Sequence, residues 1–318
     1  MKKFRRIRTS AALLTTALLV GSAAYYKYDA VHAEKNTSGQ ETTLRIAYLP
    51  ITHALPLFET QKLLDENGGS VKLELVKYGG WSELMDALNT GRVDGASVLV
   101  ELAMKAKEQG IPLKLALLGH KDGNVIITGT DIQEPEQLRG KTFAIPNTQS
   151  SHNILLQMLL QKYGMSVSDV KVLEMAPTEM PSALRSGQID GYCVAEPFGA
   201  KAVDAGIGRV FATSEELWDR SICCGIVFNE DAVAGKTAAV QAFEDGYQEA
   251  GRSLNREEEL SIAEKNLGQN RSEAELSFQW ISFDDLDVSR DAYDSLTDKI
   301  REFGLSENPP EYSAFVEQ

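Results

Sequence analysis

Short apolar runs alternate with amphipathic stretches along most of this 318-residue chain. The runs at 44–49, 71–76 and 113–118 predict strands, and the stretches that follow them have the 3.6-residue spacing of helices. Strands that alternate with helices are typical of an α/β fold, in which helices cover both faces of a mostly parallel sheet. From residue 231 onward the pattern predicts a helical tail, which needs a surface to pack on, and we expect the first of two lobes to provide it.

One sequence pattern occurs twice in the chain. Leu84–Val98 aligns with Met180–Val194, and both segments predict a helix with an Ala-Leu pair, a Gly, then Val or Ile, Asp-Gly and a strand. Gly91 and Gly187 fit the left-handed position after a helix, and Asp-Gly is typical of a turn with positive φ. Because two copies are too few for a solenoid, the repeat predicts two similar α/β lobes with a ligand cleft between them.

The first residues have the features of a secretory signal. A basic start precedes an apolar run at 11–24, and Val31-His32-Ala33 offers a cleavage site. The run is too short to span a bilayer comfortably, and an uncleaved N-terminal anchor is the alternative. We expect the following division of the chain: 1–33 as the signal, 34–42 as a flexible leader, 43–130 with 215–318 as the first lobe, and 131–214 as the second lobe.

The charge and cysteine content narrow the function. The signal carries six Lys or Arg and one Asp, so its removal takes the net charge from −14 to −19. Such a surface argues against binding to nucleic acid or anionic membrane. The three Cys do not form a disulfide framework, and we expect free buried thiols. Because nucleophile-elbow, Walker, Cys-x-x-Cys and His-Glu-x-x-His motifs are absent, we expect neither an enzyme nor a bound cofactor.

Polar residues after predicted strands are the candidate ligand contacts, because ligands bind at the carboxyl ends of strands in such sheets. A helix start near Ser151 could bind an anion, and simple helix capping is the alternative. Trp81 could form an aromatic wall or pack in the core, and Glu196 could accept a ligand hydrogen bond or stay structural. We predict these ligand contacts: Thr52, His53, Trp81, Gln149, Ser151, His152, Ala195, Glu196, Cys223 and Cys224.

A metal site is a weaker hypothesis. His53, His152 and the two adjacent Cys could in principle meet as ligands of a soft metal. Their spacing along the chain matches no metal-binding motif, so we predict none.

Three segments resemble the exported solute-binding proteins of ABC importers. Ala47–Leu57, Ser151-His152-Asn153 and Asp190–Pro197 are similar to the nitrate, bicarbonate, sulfonate and taurine branch, the NMT1/THI5-like family. The resemblance implies a type II periplasmic-binding-protein fold with two Rossmann-like lobes. It also implies a monomer in the periplasm or on the outer face of the cytoplasmic membrane, which delivers a small solute to a permease and its ATPase.

The resemblance leaves the ligand open. In that branch the anion contacts correspond to Trp81, His152 and the Ala195–Pro197 segment, but Ile222-Cys223-Cys224-Gly225 takes the place of the family's lysine. An oxoanion or sulfonate such as nitrate, bicarbonate or a taurine-like compound is therefore the first expectation. A binding protein for a thiamine-precursor pyrimidine, a pyrimidine synthase of the same fold and a metal-binding receptor are the alternatives, and the secretory signal argues against the synthase.

Overall fold

The computed structural model describes residues 41–317, so the predicted secretory signal lies outside the described residues. From Thr43 onward the chain forms one compact unit. This unit contains two five-stranded sheets with helices packed against them, which confirms the predicted α/β class. Within the described part of the chain, no helix is both long enough and apolar enough to cross a membrane.

The strands are short, and the central strands of both sheets are largely buried, as expected for sheets that helices cover. In chain order the strands are β1 (Thr42–Tyr48), β2 (Val71–Lys77), β3 (Gly95–Leu99), β4 (Leu113–Leu118), β5 (Lys121–Asp122), β6 (Asn124–Gly129), β7 (Thr142–Ile145), β8 (Lys171–Glu174), β9 (Gly191–Ala195), β10 (Gly208–Thr213), β11 (Cys224–Asn229) and β12 (Ile281–Ser282). Of these, β5 and β12 pair with each other in a small separate sheet.

The helices lie between the strands and then dominate the last third of the chain. In chain order they are α1 (Leu55–Glu66), α2 (Trp81–Asn89), α3 (Val100–Glu108), α4 (Ser151–Lys162), α5 (Met180–Arg185), α6 (Phe198–Asp204), α7 (Ser214–Leu217), α8 (Glu230–Gly235), α9 (Thr237–Ser253), α10 (Arg256–Asn266), α11 (Arg271–Ser277), α12 (Arg290–Glu302) and α13 (Tyr312–Phe315).

The two sheets have the same strand arrangement. The first has the order β2-β1-β3-β11-β4, and the second has the order β8-β7-β9-β6-β10. In each sheet the fourth strand, β11 or β6, runs antiparallel to both of its neighbours. Each sheet is therefore mixed, with one strand that runs opposite to the strands beside it. The chain passes to the second sheet just before β6 and returns to the first sheet just before β11.

The second sheet begins earlier than the sequence pattern suggested. We expected the second lobe from residue 131, but β6 already belongs to the second sheet and starts at Asn124. Its Val-Ile-Ile-Thr run has the β-branched side chains that favour strands. The prediction relied on strands that alternate with helices. Strand β6 has no helix before it and runs antiparallel to its neighbours, so that alternation could not identify it as part of the second sheet.

The repeated junction takes the same form in both sheets. Gly91 and Gly187 have φ values of 69° and 73°, which confirms their left-handed role after a helix. Asp94 and Asp190 each accept a backbone N–H across the sheet, from Arg45 and from Thr142, at 2.8 Å. Each junction therefore ties the start of a central strand to the strand beside it.

The Asp-Gly pairs, however, are not turns with positive φ. Gly95 and Gly191 begin β3 and β9 in ordinary backbone conformations, so that expectation was wrong. A Cβ on Gly191 would lie 2.5 Å from the Phe143 ring and 2.6 Å from the carbonyl oxygen of Ile127. Glycine is needed there because the neighbouring strands approach too closely for any side chain.

The helical tail packs mainly on the first sheet, as expected, and also contacts the second. Helix α9 packs against α1, and its Phe243 meets Phe228 of β11 edge to face at 5.6 Å. Helix α11 packs against α6 beside the second sheet, where Ser272 donates to Asp204. The tail therefore connects elements of both sheets.

Candidate ligand site

Four buried donor side chains converge at loops that belong to the first sheet. One lies in the 3-10 turn after β1, one follows β4, and two lie at the start of β11. Their nitrogen and sulfur atoms all lie within 4.8 Å of one another. We call this set the imidazole–thiol cluster: His53, His120, Cys223 and Cys224.

Hydrogen bonds fix the orientation of the His53 ring. Its Nε2 lies 3.0 Å from the carbonyl oxygen of Gly123, which can only accept, so Nε2 carries the proton and donates. Nδ1 lies 3.4 Å from the sulfur of Cys224. The ring centroids of His53 and His120 are 3.4 Å apart. The cluster therefore places the second ring nitrogen of His53 directly against the Cys224 sulfur.

The two adjacent cysteines are free thiols, with their sulfurs 3.8 Å apart. Burial alone would raise the pKa of Cys223, but a hydrogen bond with Cys224 and the nearby His152 and His120 more than offset it. The pKa of Cys223 therefore lies well below its ordinary range. Burial and the neighbouring Cys223 raise the pKa of Cys224. The pair thus favours one thiolate beside one thiol.

Ser151 and His152 face this region from the start of α4, beside the second sheet. The helix cap is Ser150, whose Oγ accepts from the backbone N–H of Asn153 at 3.3 Å. Capping therefore does not account for Ser151 and His152. The Ser151 hydroxyl and both His152 ring nitrogens are buried without a hydrogen-bond partner within residues 41–317. Burial lowers the pKa of His152 to about 4, so its ring is neutral at pH 7.

Thr52 and Glu196 connect the strand ends of the two sheets. The backbone N–H of Thr52 donates to the carbonyl oxygen of Glu196 at 2.9 Å, and its hydroxyl accepts from Gln269 at 3.0 Å. Ala195, just before Glu196, is the buried last residue of β9. The backbone N–H of Glu196 in turn donates to Gly123 at 3.0 Å. These bonds hold the ends of β1 and β9 against each other.

The carboxylate of Glu196 has one bonded and one unbonded oxygen. Oε2 accepts from the Ser277 hydroxyl at 2.9 Å and from the backbone N–H of Ala200 at 3.0 Å. Oε1 is buried and has no partner within the described residues. Burial raises the pKa of Glu196 to about 7. These contacts agree with the structural alternative for this residue, a carboxylate bonded near the chain crossing.

The raised pKa of Glu196 predicts a loss of stability with rising pH. The folded protein holds this proton more tightly than the unfolded chain. Its contribution to the free energy of unfolding is therefore present in full below about pH 4.5 and is lost as the pH rises through about 7. The full loss is at most about 3 kcal/mol. Glu196→Gln cannot ionise, so urea unfolding at pH 5 and pH 8 should show a smaller decline than in the native protein. An exposed control, Glu264→Gln, should decline like the native protein. An equal decline in Glu196→Gln would contradict the assignment.

Trp81 and Gln149 lie outside the imidazole–thiol cluster. Trp81 is the first residue of α2 after Gly80, and its Nε1 is buried without a partner in the described chain. It lines a cavity of about 490 Å³ together with Pro146 and Met175 from loops of the second sheet. Gln149 is half-buried, and across residues 41–317 no hydrogen bond joins its side chain to the cluster.

Two residues of the site escaped the sequence analysis. His120 lies two residues after β4, so the strand-end rule that identified His53 could have found it. Glu101 lies within α3, where an acidic residue in a helix gives no signal. It is buried, neither carboxylate oxygen has a partner in the described structure, and burial and the nearby Cys223 raise its pKa well above the ordinary range.

Comparison with known proteins places the chain among binding components of importers. The model of the NMT1-like family matches residues 37–267. The ligand-binding component of an ABC-type import system from Staphylococcus aureus, solved with zinc bound, is 36% identical with a TM-score of 0.83. The alignment covers 88% of this chain and 97% of that one. The taurine-binding periplasmic protein of Escherichia coli is 24% identical over 208 residues, 64% of each chain.

A third relative is much longer than this chain. The nitrate import ATP-binding protein NrtC of Synechocystis sp. is 28% identical over 202 residues, which are 57% of this chain. The chain spans only 30% of the length of that relative. The match therefore concerns one part of that protein.

Proposed function

Because the chain belongs to the NMT1-like family, we propose that it is an exported solute-binding protein that delivers a small polar solute to an ABC permease and its ATPase. The observation that carries this proposal is the group of buried polar side chains where the strand ends of the two sheets meet. His53, Thr52 and the adjacent cysteines come from the first sheet, and Glu196 and His152 come from the second.

Unused hydrogen-bonding groups around this region support a ligand site. Trp81 Nε1, Ser151 Oγ and both ring nitrogens of His152 are buried without partners in the described part of the protein. A buried polar group without a partner costs about 1–3 kcal/mol. A solute that formed hydrogen bonds with these groups would recover that cost. The ligand-bound state would therefore be stabilised relative to the empty one.

The first ligand class to consider is a small oxoanion or sulfonate. The Escherichia coli relative is named for taurine and the Synechocystis relative for nitrate import. Trp81 would supply an aromatic wall, and neutral donors such as Ser151 and His152 would hold the anion. We propose Gln149 and Ala195 as outer contacts of such a ligand.

A second ligand class is a metal cation, which one specific observation favours. The imidazole–thiol cluster places two sulfurs and two imidazoles within 4.8 Å, and the Staphylococcus aureus relative was solved with zinc bound. Thiolate and imidazole together suit soft and borderline metals.

We further propose that the two sheets form separate lobes and that the chain crossings at 119–123 and 214–223 act as the hinge. Lobe closure around a ligand is a common movement of two-lobed binding proteins. We propose that the protein acts as a monomer outside the cytoplasm and that it binds its solute without catalysing a reaction.

A thermal-shift panel tests the proposed function. We expect one of taurine, nitrate, bicarbonate or zinc chloride to raise the melting temperature of the purified protein. His53→Ala and His152→Ala should each raise the ligand concentration that this response requires at least tenfold, because both rings adjoin the proposed site. Glu264→Gln, an exposed control, should respond like the native protein. A response that neither histidine variant alters would place the ligand elsewhere and contradict the proposal.

A further inference from the structure

We propose that the solute captured at this site is a divalent cation of the zinc class, bound by the imidazole–thiol cluster. This inference rests on the proposed function, because it names the substrate of the same binding protein. It assigns a coordinating role to His120, which follows a strand end but was overlooked in the sequence.

Two distances within the cluster agree with a tetrahedral zinc site. Zinc lies about 2.3 Å from sulfur and about 2.0–2.1 Å from imidazole nitrogen. A regular tetrahedron then separates two sulfurs by about 3.8 Å, and a sulfur from a nitrogen by about 3.5 Å. The sulfurs of Cys223 and Cys224 are 3.8 Å apart, and Nδ1 of His53 is 3.4 Å from the sulfur of Cys224. The sulfurs are already at their tetrahedral separation, so the widest donor pair, at up to 4.8 Å, includes a nitrogen and needs to close by about 1.3–1.5 Å.

The His53 ring has the orientation of a metal ligand. Histidines that bind metals usually donate their other ring N–H to a carbonyl or carboxylate, which fixes the tautomer. His53 donates from Nε2 to the carbonyl oxygen of Gly123 at 3.0 Å and presents Nδ1 to the sulfur of Cys224. The backbone therefore prepares this nitrogen to bind a cation before any cation arrives.

The donor atoms and the net charge of the chain both favour a zinc-class cation over hard cations and over anions. Hard cations such as Mg²⁺ and Ca²⁺ prefer oxygen ligands, whereas thiolate and imidazole favour zinc and its neighbours. A net charge of −14 attracts cations and repels anions over the whole surface. Two thiolates would neutralise a divalent ion, so the buried complex would carry no net charge of its own.

His152 adds a contact from the second sheet. Both of its ring nitrogens are buried without partners in the described structure. The four cluster residues all belong to loops and strands of the first sheet. A cation bound by the first sheet would therefore leave the neutral His152 ring, at the start of the helix beside the second sheet, available as a further contact.

Zinc titration of the reduced, chelator-treated protein tests the inference. With zinc chloride against a chromophoric competitor, we expect one zinc per chain, and Cys224→Ser should weaken binding at least about 100-fold because a direct ligand is lost. Cys193→Ser replaces a buried thiol of β9 outside the cluster and should stay within about threefold of the native affinity. Cobalt chloride should give the sulfur-to-metal absorption of a tetrahedral thiolate site in the native protein and the Cys193 variant. Circular dichroism checks that each variant folds.

Two results would overturn the inference: no zinc binding by the folded native protein, or binding that Cys223→Ser and Cys224→Ser leave unchanged. Taurine and nitrate, titrated in parallel, separate this failure from failure of the proposed function. If either anion binds in a His152-dependent manner while zinc does not, zinc binding by the cluster is refuted, but the proposed solute-binding function is supported. If zinc binds through the cluster but loss of the gene leaves zinc uptake by cells unchanged, the metal site is supported and the role of the protein in zinc import is refuted.

Discussion

Zinc at a free concentration 1,000-fold above its Kd should stabilise the reduced protein by about 4 kcal/mol. For a domain of this size the melting temperature should rise by roughly 8–16 °C. The effect is large because the four donors of the imidazole–thiol cluster are gathered and buried only in the folded protein. Zinc that binds His and Cys of the unfolded chain would reduce the shift. Differential scanning calorimetry with and without zinc chloride measures it.

The controls for this shift use the same cysteine chemistry at a different place. The Cys223→Ser/Cys224→Ser double variant should lose most of the shift, whereas Cys193→Ser should keep it, because Cys193 lies in β9 outside the cluster. Magnesium chloride should have little effect, since Mg²⁺ prefers oxygen ligands. An equal shift in the double variant, or with magnesium, would show that the stabilisation does not come from the cluster.

Replacing Gly191 by alanine should destabilise the protein by roughly 3–4 kcal/mol, near the upper end of the cost of overpacking. The added Cβ would lie 2.5 Å from the Phe143 ring and 2.6 Å from the carbonyl oxygen of Ile127. The ring can move, but the carbonyl belongs to β6, which pairs with β9 over five residue pairs. The sheet would have to separate locally. Urea unfolding measures the change in the free energy of unfolding.

Gly187 provides the matched control within the same junction. It has a φ of 73°, and an added Cβ would meet no heavy atom of the described residues within 4 Å. Its replacement by alanine should cost only the strain of the left-handed conformation, about 1–2 kcal/mol. Equal costs at the two positions would mean that conformational strain, rather than close packing of strands, explains the glycine at 191.

The sequence predicted the fold well where local patterns determine structure. The helical tail after residue 231 and the left-handed positions of Gly91 and Gly187 follow from the sequence pattern and from helix-end chemistry, and the structure confirms them. The pairing of β6 and β11 could not be predicted in this way. Each enters its sheet antiparallel beside strands distant in sequence, and the hydrophobic pattern of a strand does not name its partner.

The site was predicted in part for a similar reason. His53, Cys223 and Cys224 were selected because they follow or begin predicted strands, and the structure brings them together. His120 follows the same rule but was overlooked, and Glu101 gave no signal because burial of a helix side chain depends on tertiary packing. The hypothesis of a soft-metal ligand set included His152, whereas the structure has His120 in the cluster. Spacing along the chain cannot show which of two histidines lies closer to the cysteines in the folded protein.

Zinc K-edge X-ray absorption of the stoichiometric complex tests the central claim most directly, because it reports the atoms bound to the ion. We predict two sulfur neighbours at about 2.3 Å and two imidazole nitrogens at about 2.0–2.1 Å. A shell of oxygen and nitrogen without sulfur would contradict the claim that the buried histidines and cysteines between the sheets bind the ligand.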